Sequence, residues 1–329
     1  MRKSFLFFLL LMLWFSCKTK EQQAQSNDMP KSEWTILAEQ LRESPYEDSL
    51  YFKRAKFFFA LEQFDSCIAD VNKAIYLDST VSQYYFLLSD AYLMSSQSKT
   101  ALEVLDKSMK LFPDDVDTYI HSARLYLILK QHLTALTTLD QVYVRDKENA
   151  EAYYLAGHIL YEMGDTARAI KNYHKATEIN PDKIEAWVQL GDVYTEMGNE
   201  RALACYDNAI RLLPSDVETM HNKAYAYQKF GKIKESVELH QKICNEFPNY
   251  EPAFYNLGLL YRNMDSLDLA ISYFTQAIAL RPSESSSYYH RGLCYAEQKK
   301  AELAKEDLKK SVLLNPKDEE AQTALKELR

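Results

Sequence analysis

Glycine is scarce in this chain, 7 of 329 residues, against roughly 7% in an average protein. Folds that need glycine for positive φ, or for close approach of backbone to phosphate, are excluded by that shortage. Turn-rich sandwiches, dinucleotide-binding sheets and P-loop enzymes all fall in this group. Apolar runs long enough to span a bilayer are also missing, and the run at residues 5–15 has only eleven positions. No H-E-x-x-H, no G-x-S-x-G and no Gly-rich phosphate loop is present. Among the 5 cysteines, Cys67, Cys205, Cys244 and Cys294 lack metal-ligand spacing and fall at expected packing positions. They read as buried thiols, with a disulfide in an oxidising compartment as the alternative. The 7 histidines are scattered, His240 standing where a core aromatic is expected. A formal net charge of -8 gives no broad attraction to phosphate backbones, so nucleic acid is not an expected partner.

What the chain has in quantity is apolar and aromatic surface, 47% and 13% of residues, with 24 tyrosines. Disorder throughout is thereby excluded, and with the sheet classes removed the expected class is all-α. Arg2 and Lys3 precede the apolar run, which ends at Ser16 and Cys17, so residues 1–16 read as a signal peptide. Two readings stand: an ordinary secretory signal, or a lipoprotein signal in which Cys17 becomes the first mature residue and carries a lipid. Leu13-Trp14-Phe15-Ser16-Cys17 resembles the bacterial lipobox, although Trp14 and Phe15 stand where that motif has smaller residues. Residues 17–32 then form a polar tether, reaching on the order of 20 Å as a flexible coil.

Seven of the nine prolines share one phase. Pro45, Pro113, Pro181, Pro214, Pro248, Pro282 and Pro316 are separated by 68, 68, 33, 34, 34 and 34 residues. Eight units follow, 48–81, 82–115, 116–149, 150–183, 184–216, 217–250, 251–284 and 285–318, the fifth one residue short. Their eighth position is always small: Ala55, Ser89, Ala123, Gly157, Gly191, Ala224, Gly258 and Gly292. So is the position opening the inner face of the second helix: Cys67, Ala101, Ala135, Ala169, Ala202, Ser236, Ala270 and Ala304. Antiparallel helices approach closely only where facing side chains are small, so these two sets are expected to make the close contact. Bulky residues fill the fourth and eleventh positions, for example Tyr85 with Tyr92 and Trp187 with Tyr194, two helical turns apart on one face. Gly164, Gly198 and Gly231 fall in the turn between helices, where a left-handed C-cap is expected.

This pattern resembles the tetratricopeptide repeat, a helix-turn-helix of 34 residues. The fourth unit carries Tyr153, Gly157, Ala169, Tyr173, Ala176 and Pro181 of its signature, and the fifth Trp187, Leu190, Gly191, Tyr194, Ala202, Tyr206, Ala209 and Pro214. The likeness covers 271 of 329 residues, with Ser79 and Lys147 departing from the closing proline and expected to loosen two helix junctions. Residues 33–47 read as an orphan second helix in the same phase, and residues 319–329 as a charged capping helix. The resemblance implies a right-handed α-solenoid, a superhelix whose first helices line a concave groove for an extended or helical partner segment.

Mapped by phase, the groove-facing residues are Phe52, Phe59, Phe86, Leu93, Met94, Ile120, Leu127, Ile128, Tyr154 and Tyr161, an apolar stripe. An acidic stretch follows at Glu151, Glu162, Glu185, Asp192, Glu196 and Glu218, and then Tyr225, Tyr255 and Tyr289. Contiguous apolar and aromatic surface of this kind marks interaction sites. With the repeats, tether, orphan helix and cap consuming the chain, no segment is left for a catalytic domain. The expected function is a non-enzymatic scaffold of the bacterial cell envelope, needing neither cofactor nor metal. It would be anchored by lipid on Cys17, by analogy at the outer membrane, and hold a segment of an envelope protein. Self-assembly into a homo-oligomer through exposed superhelix ends is the alternative, and an enzyme with an inner-wall site the more distant one.

Overall fold

A computed structural model describes residues 33–328, so the signal segment, the tether and the Cys17 lipid site lie outside the described residues. Among the described residues there are eighteen α-helices and no strand. The orphan helix is α1 (Glu33–Glu43). Helix pairs follow: α2 (Asp48–Ala60) with α3 (Phe64–Leu77), α4 (Ser82–Met94) with α5 (Ser98–Leu111), α6 (Val116–Ile128) with α7 (His132–Arg145), and α8 (Ala150–Glu162) with α9 (Thr166–Ile179). Then come α10 (Ile184–Glu196) with α11 (Arg201–Leu212), α12 (Val217–Lys229) with α13 (Ile233–Glu246), α14 (Glu251–Asn263) with α15 (Leu267–Leu280), α16 (Ser285–Glu297) with α17 (Ala301–Leu314), and α18 (Glu319–Glu327). From α2 to α18 the first helices begin every 34 residues except for one interval of 33. The shortfall lies at α11, which has 12 residues.

The chain is an α-solenoid of helix-turn-helix repeats, in two compact units that divide between Thr118 and Tyr119. In the N-terminal unit, Leu37 and Leu41 of α1 pack with Leu50, and a core of Ala55, Cys67, Val71, Ala74, Tyr84, Leu88 and Ala91 joins α2, α3 and α4. The C-terminal unit has a corresponding core around Tyr173, Leu190, Tyr194 and Tyr206, and further clusters around Ile243 and Phe274.

Each repeat turns on the same backbone. Its fifteenth residue has positive φ: Glu62 (58°), Ser96 (63°), Lys130 (58°), Gly164 (83°), Gly198 (68°), Gly231 (72°), Asp265 (56°) and Lys299 (60°). Glycine was expected at three of these turns, yet five side chains accept the same left-handed conformation at a cost of about 1 kcal/mol each. They do so because the turn caps the helix. The Glu62 N–H donates to Phe59 O (3.0 Å) and the Gln63 N–H to Phe58 O (2.9 Å), satisfying carbonyls that the helix end leaves orphaned.

The eighth position makes room for a different residue than expected. A Cβ added at Gly157, Gly191 or Gly258 would stand 2.7, 2.5 or 2.6 Å from a ring carbon of Tyr173, Tyr206 or Phe274. The close contact is therefore with the residue four positions beyond the small second-helix residue, and in three of the four glycine repeats that residue is aromatic, whereas Gly292 meets Leu308 (3.1 Å). Glycine faces Tyr173, Tyr206 and Phe274, whereas Ala55, Ser89 and Ala123 share their repeats with Val71, Leu105 and Leu139. Adding one methyl group to a packed interface of this kind costs about 2 kcal/mol. Gly258→Ala is accordingly expected to lower the urea midpoint, and Phe274→Leu, which recreates the Ala123/Leu139 combination, to recover most of the loss. Additive single effects in that double-mutant cycle would refute the size matching.

A second recurring device closes the repeat junctions. The polar tip at the fourth position donates to a carbonyl six residues earlier: Tyr51 to Pro45 O (3.1 Å), Tyr85 to Ser79 O (3.3 Å), Trp187 to Pro181 O (2.8 Å) and Gln322 to Pro316 O (2.7 Å). The Ser79 junction, expected to be loosened, keeps this bond because the acceptor is backbone. Gln322 occupies the same place in α18, so the terminal helix is built as the first helix of another repeat.

Candidate functional site

In the N-terminal unit the first helices carry a partly exposed apolar row. Phe52, Phe59, Phe86 and Leu93 are half-buried, and Met94 is 57% exposed. Phe52 lies on the Tyr84 ring at 4.6 Å and Phe59 edge-on to Phe64 at 5.6 Å, so each keeps one side packed.

In the C-terminal unit the expected set separates. Ile128 (56%) and Tyr225 (47%) are exposed, and Tyr154 and Tyr161 are half-buried. Ile120 and Leu127 are buried, at 8% and 7%. Their assignment to the groove surface is corrected: they adjoin the packing residues Tyr119 and Tyr126, and faces one residue apart on a helix are easily drawn into the same contact. Tyr255 packs against Phe274 (5.9 Å) and His290 (5.7 Å), so its ring takes part in repeat packing, whereas Tyr289 meets only the adjacent His290 of its own helix (5.0 Å) among the ring contacts described.

The acidic stretch is largely neutralised from neighbouring repeats. Glu151 accepts from Arg124 (2.8 Å) and pairs with Lys183 (2.7 Å), and Glu185 takes the same lysine at 3.2 Å. Glu162 accepts from Lys130 (2.7 Å) and meets His132 (2.8 Å), and those contacts hold its carboxyl below the usual range. Glu218 accepts from the Tyr250 hydroxyl at 2.9 Å. Residues that look like one negative surface in sequence are thus mostly cross-links between helices.

Asp192 and Glu196 are different. They line a cavity of about 340 Å³ among α8, α10 and α12, with Tyr161, Tyr206, Asn222 and Tyr225. Asp192 Oδ1 accepts from the Tyr206 hydroxyl (2.7 Å) and from Asn222 Nδ2 (3.2 Å), and Glu196 from the Tyr161 hydroxyl. Burial holds the Asp192 carboxyl above its ordinary range, only partly offset by those hydrogen bonds.

Tyr206 and Tyr173 stand at the same place in their repeats as His240, the position where a core aromatic is expected. The structure shows ring and tip doing separate jobs. The Tyr206 ring passes over Gly191, and its hydroxyl emerges among first-helix residues. The Tyr173 ring passes likewise over Gly157, while His240 meets His221 of α12 edge-on at 5.4 Å. Glycine at the eighth position with a polar aromatic sixteen residues on, as in Gly157 with Tyr173, was the available signal.

The remaining chemistry is poor. Cys67, Cys205, Cys244 and Cys294 are free thiols, and burial pushes them up to about 12, 11, 12 and 11, far from the reactive thiolate. Among the described residues no group of three His, Cys, Asp or Glu could hold a metal ion, and no helix is long and apolar enough to cross a membrane.

Comparison with known proteins agrees with this architecture. Models described as TPR repeat or tetratricopeptide repeat match residues 157–198, 252–284 and 285–318. A 110-residue stretch, 33% of this chain, is 31% identical to superkiller protein 3 of Saccharomyces cerevisiae but covers 8% of that protein. A TPR repeat-containing protein of Methanocaldococcus jannaschii is 25% identical over 208 residues, 61% of this chain and 31% of its own length. The chain therefore spans a minor part of the curated relatives it matches. A tetratricopeptide repeat protein from Parabacteroides merdae, solved by crystallography, is 18% identical and superposes with a TM-score of 0.53 over 75% of this chain and 98% of its own, a likeness of fold. Over residues 157–198 and 252–318 the chain carries sequence that matches tetratricopeptide repeats.

Proposed function

We propose that this chain is a non-enzymatic holding protein of the bacterial cell envelope, anchored by a lipid on Cys17, whose first helices bind a segment of another envelope protein. Tetratricopeptide repeats generally mediate protein–protein interaction, and that coarser function follows from the repeats themselves. The observation that carries the partner-binding part of this reading is the row Phe52, Phe59, Phe86, Leu93 and Met94, apolar side chains left partly exposed on first helices. Apolar surface held open beside a well-packed core is what a partner's side chains would cover.

The test is crosslinking of the full chain in its native cell, followed by purification. Phe86→Ala with Met94→Ala is expected to reduce recovery of the specific partner roughly tenfold, the scale of losing apolar anchors, with helical content unchanged. Cys17→Ser is expected to move the protein from the membrane fraction to the soluble one. Undiminished capture by the double variant would remove the first-helix assignment, and membrane retention of the serine variant would remove the lipid.

A further inference from the structure

We propose that the thioethers of Met163, Met197 and Met264 are sites of reversible oxidation to the sulfoxide, taking an oxygen atom from an oxidant of the peroxide class while the repeats stay folded. The inference is independent of the binding row on the N-terminal first helices.

Position is the first reason. These residues stand at the fourteenth place of the fourth, fifth and seventh repeats, and they are three of the six methionines among the described residues. The fourteenth residue caps the first helix through its backbone. The Met163 N–H donates to Ile159 O (3.0 Å), that of Met197 to Val193 O (3.1 Å) and that of Met264 to Leu260 O (3.1 Å). The cap does not depend on the side chain, since Leu61, Ser95 and Gln298 hold the same place in other repeats. A thioether here is therefore not demanded by the turn.

Exposure is the second. Met163, Met197 and Met264 are 42%, 58% and 43% exposed, and none belongs to the clusters around Tyr206, Ile243 or Phe274. Met220 supplies an internal reference of the same chemistry, 2% exposed within the Ile243 cluster. A thioether has no proton to lose before it reacts, so access alone separates these sulfurs. Thiols differ, because the thiolate is their reactive form. Burial pushes Cys67, Cys205, Cys244 and Cys294 up to about 12, 11, 12 and 11, so the sulfur of this protein that is open to oxidants is methionine sulfur. Met94, 57% exposed and one place earlier in its repeat, is open to the same reaction.

The step balances with peroxide alone. A sulfur lone pair attacks one peroxide oxygen, the O–O bond breaks and an S–O bond forms. The sulfur loses two electrons, the peroxide gains them, and water leaves with both protons of the oxidant. The product carries a strong dipole on what was an apolar side chain. At Met220 that dipole would be buried without a partner, whereas at the turn edge water solvates it. The edge of the repeats thus changes from apolar to polar at no expense to the core, and sulfoxide reduction returns it.

The experiment treats the full chain with hydrogen peroxide at rising ratios and reads each methionine by peptide mass spectrometry. At the lowest ratio that modifies any of the three, Met163, Met197 and Met264 are expected to be about tenfold or more ahead of Met220, following their exposure. The melting temperature at that ratio is expected to move by less than about 2 °C, as for a change that leaves packing intact. Methionine sulfoxide reductases for both sulfoxide epimers are expected to restore the unmodified masses. In urea-unfolded chain the advantage over Met220 is expected to vanish. Equal oxidation of Met220 in folded protein, or an advantage that survives unfolding, would overturn the assignment of the sites to exposure. Loss of the folded state while Met220 is still unmodified would overturn the tolerance, and sulfoxides left untouched by both reductases would overturn the reversibility. Because only wild-type protein is needed, no outcome depends on a variant that folds.

Discussion

Lowering the pH from 7.5 to 4.5 is expected to destabilise the C-terminal repeats by several kcal/mol, and His240→Leu to remove part of that loss, with His221, His174 and His290, whose pKa values burial also lowers, supplying more of it. His240 is 1% exposed, its Nδ1 bonds the Ser236 carbonyl (2.9 Å) and its Nε2 is buried without a partner. Burial first, and the neighbouring His221 second, push its pKa down to about 4. His290 is likewise pushed down to about 4, by burial and then by Arg262, with Nδ1 unpartnered. A base whose folded pKa lies below its unfolded value is most favourable to the fold above about pH 6.5. Between 6.5 and 4 the unfolded chain takes the proton first, so stability falls as pH falls. A separation of about 2.5 pH units corresponds to about 3 kcal/mol for each imidazole. Asp192 and Glu251, raised by burial, act in the opposite sense and reduce the net slope. Leucine at position 240 pairs with Ala224 as Leu139 does with Ala123, so the variant has a natural packing precedent. The check is the urea midpoint followed through the titration, and an unchanged slope in His240→Leu would exclude this imidazole as a source.

Removing one arginine from either terminal repeat is expected to cost about 3 kcal/mol or more. In the first repeat Arg54 makes two bonds to Asp70, at 2.5 and 2.6 Å, with the guanidinium 5.6 Å from the Tyr51 ring centroid and 5.9 Å from that of Phe58. In the last repeat Arg291 does the same with Asp307, at 2.7 and 2.8 Å, between Tyr288 (5.8 Å) and Tyr295 (6.0 Å). The carboxylates are almost fully buried, 8% and 7% exposed. Arg291→Met would strand Asp307 without its cation, and breaking one side of a buried pair costs about 3–5 kcal/mol. Arg291→Met with Asp307→Leu removes both charges and is expected to recover most of the stability. Chemical denaturation of both variants reads this directly, and a single-variant loss below about 1 kcal/mol would show that water reaches the carboxylate after all.

These pairs mark where sequence reading stopped. Helix starts, the 34-residue interval and the small eighth position were legible because each is set within about forty residues, by periodicity and by the sterics of one turn. Arg54 and Asp70 lie 16 residues apart on different helices, and nothing local says that their side chains meet. The same limit applies to Ile120 and Leu127. A helix face is legible from spacing, but whether a residue at its margin is covered depends on the neighbouring helix.

An all-helical chain of 34-residue helix pairs is already written in the order of residues, because small, aromatic and turn positions recur in one register and backbone hydrogen bonding within helices is local. The partners of the polar atoms emerge only once the helices are packed. The structure shows the acidic stretch held by Lys130, Arg124 and Lys183, the Tyr206 hydroxyl reaching Asp192 past Gly191, and Asp192 with Glu196 left without a cation. The reason is that hydrogen bonds and charge pairs between helices depend on ångström-scale approach of side chains from different repeats, and a repeat pattern sets those distances only through packing.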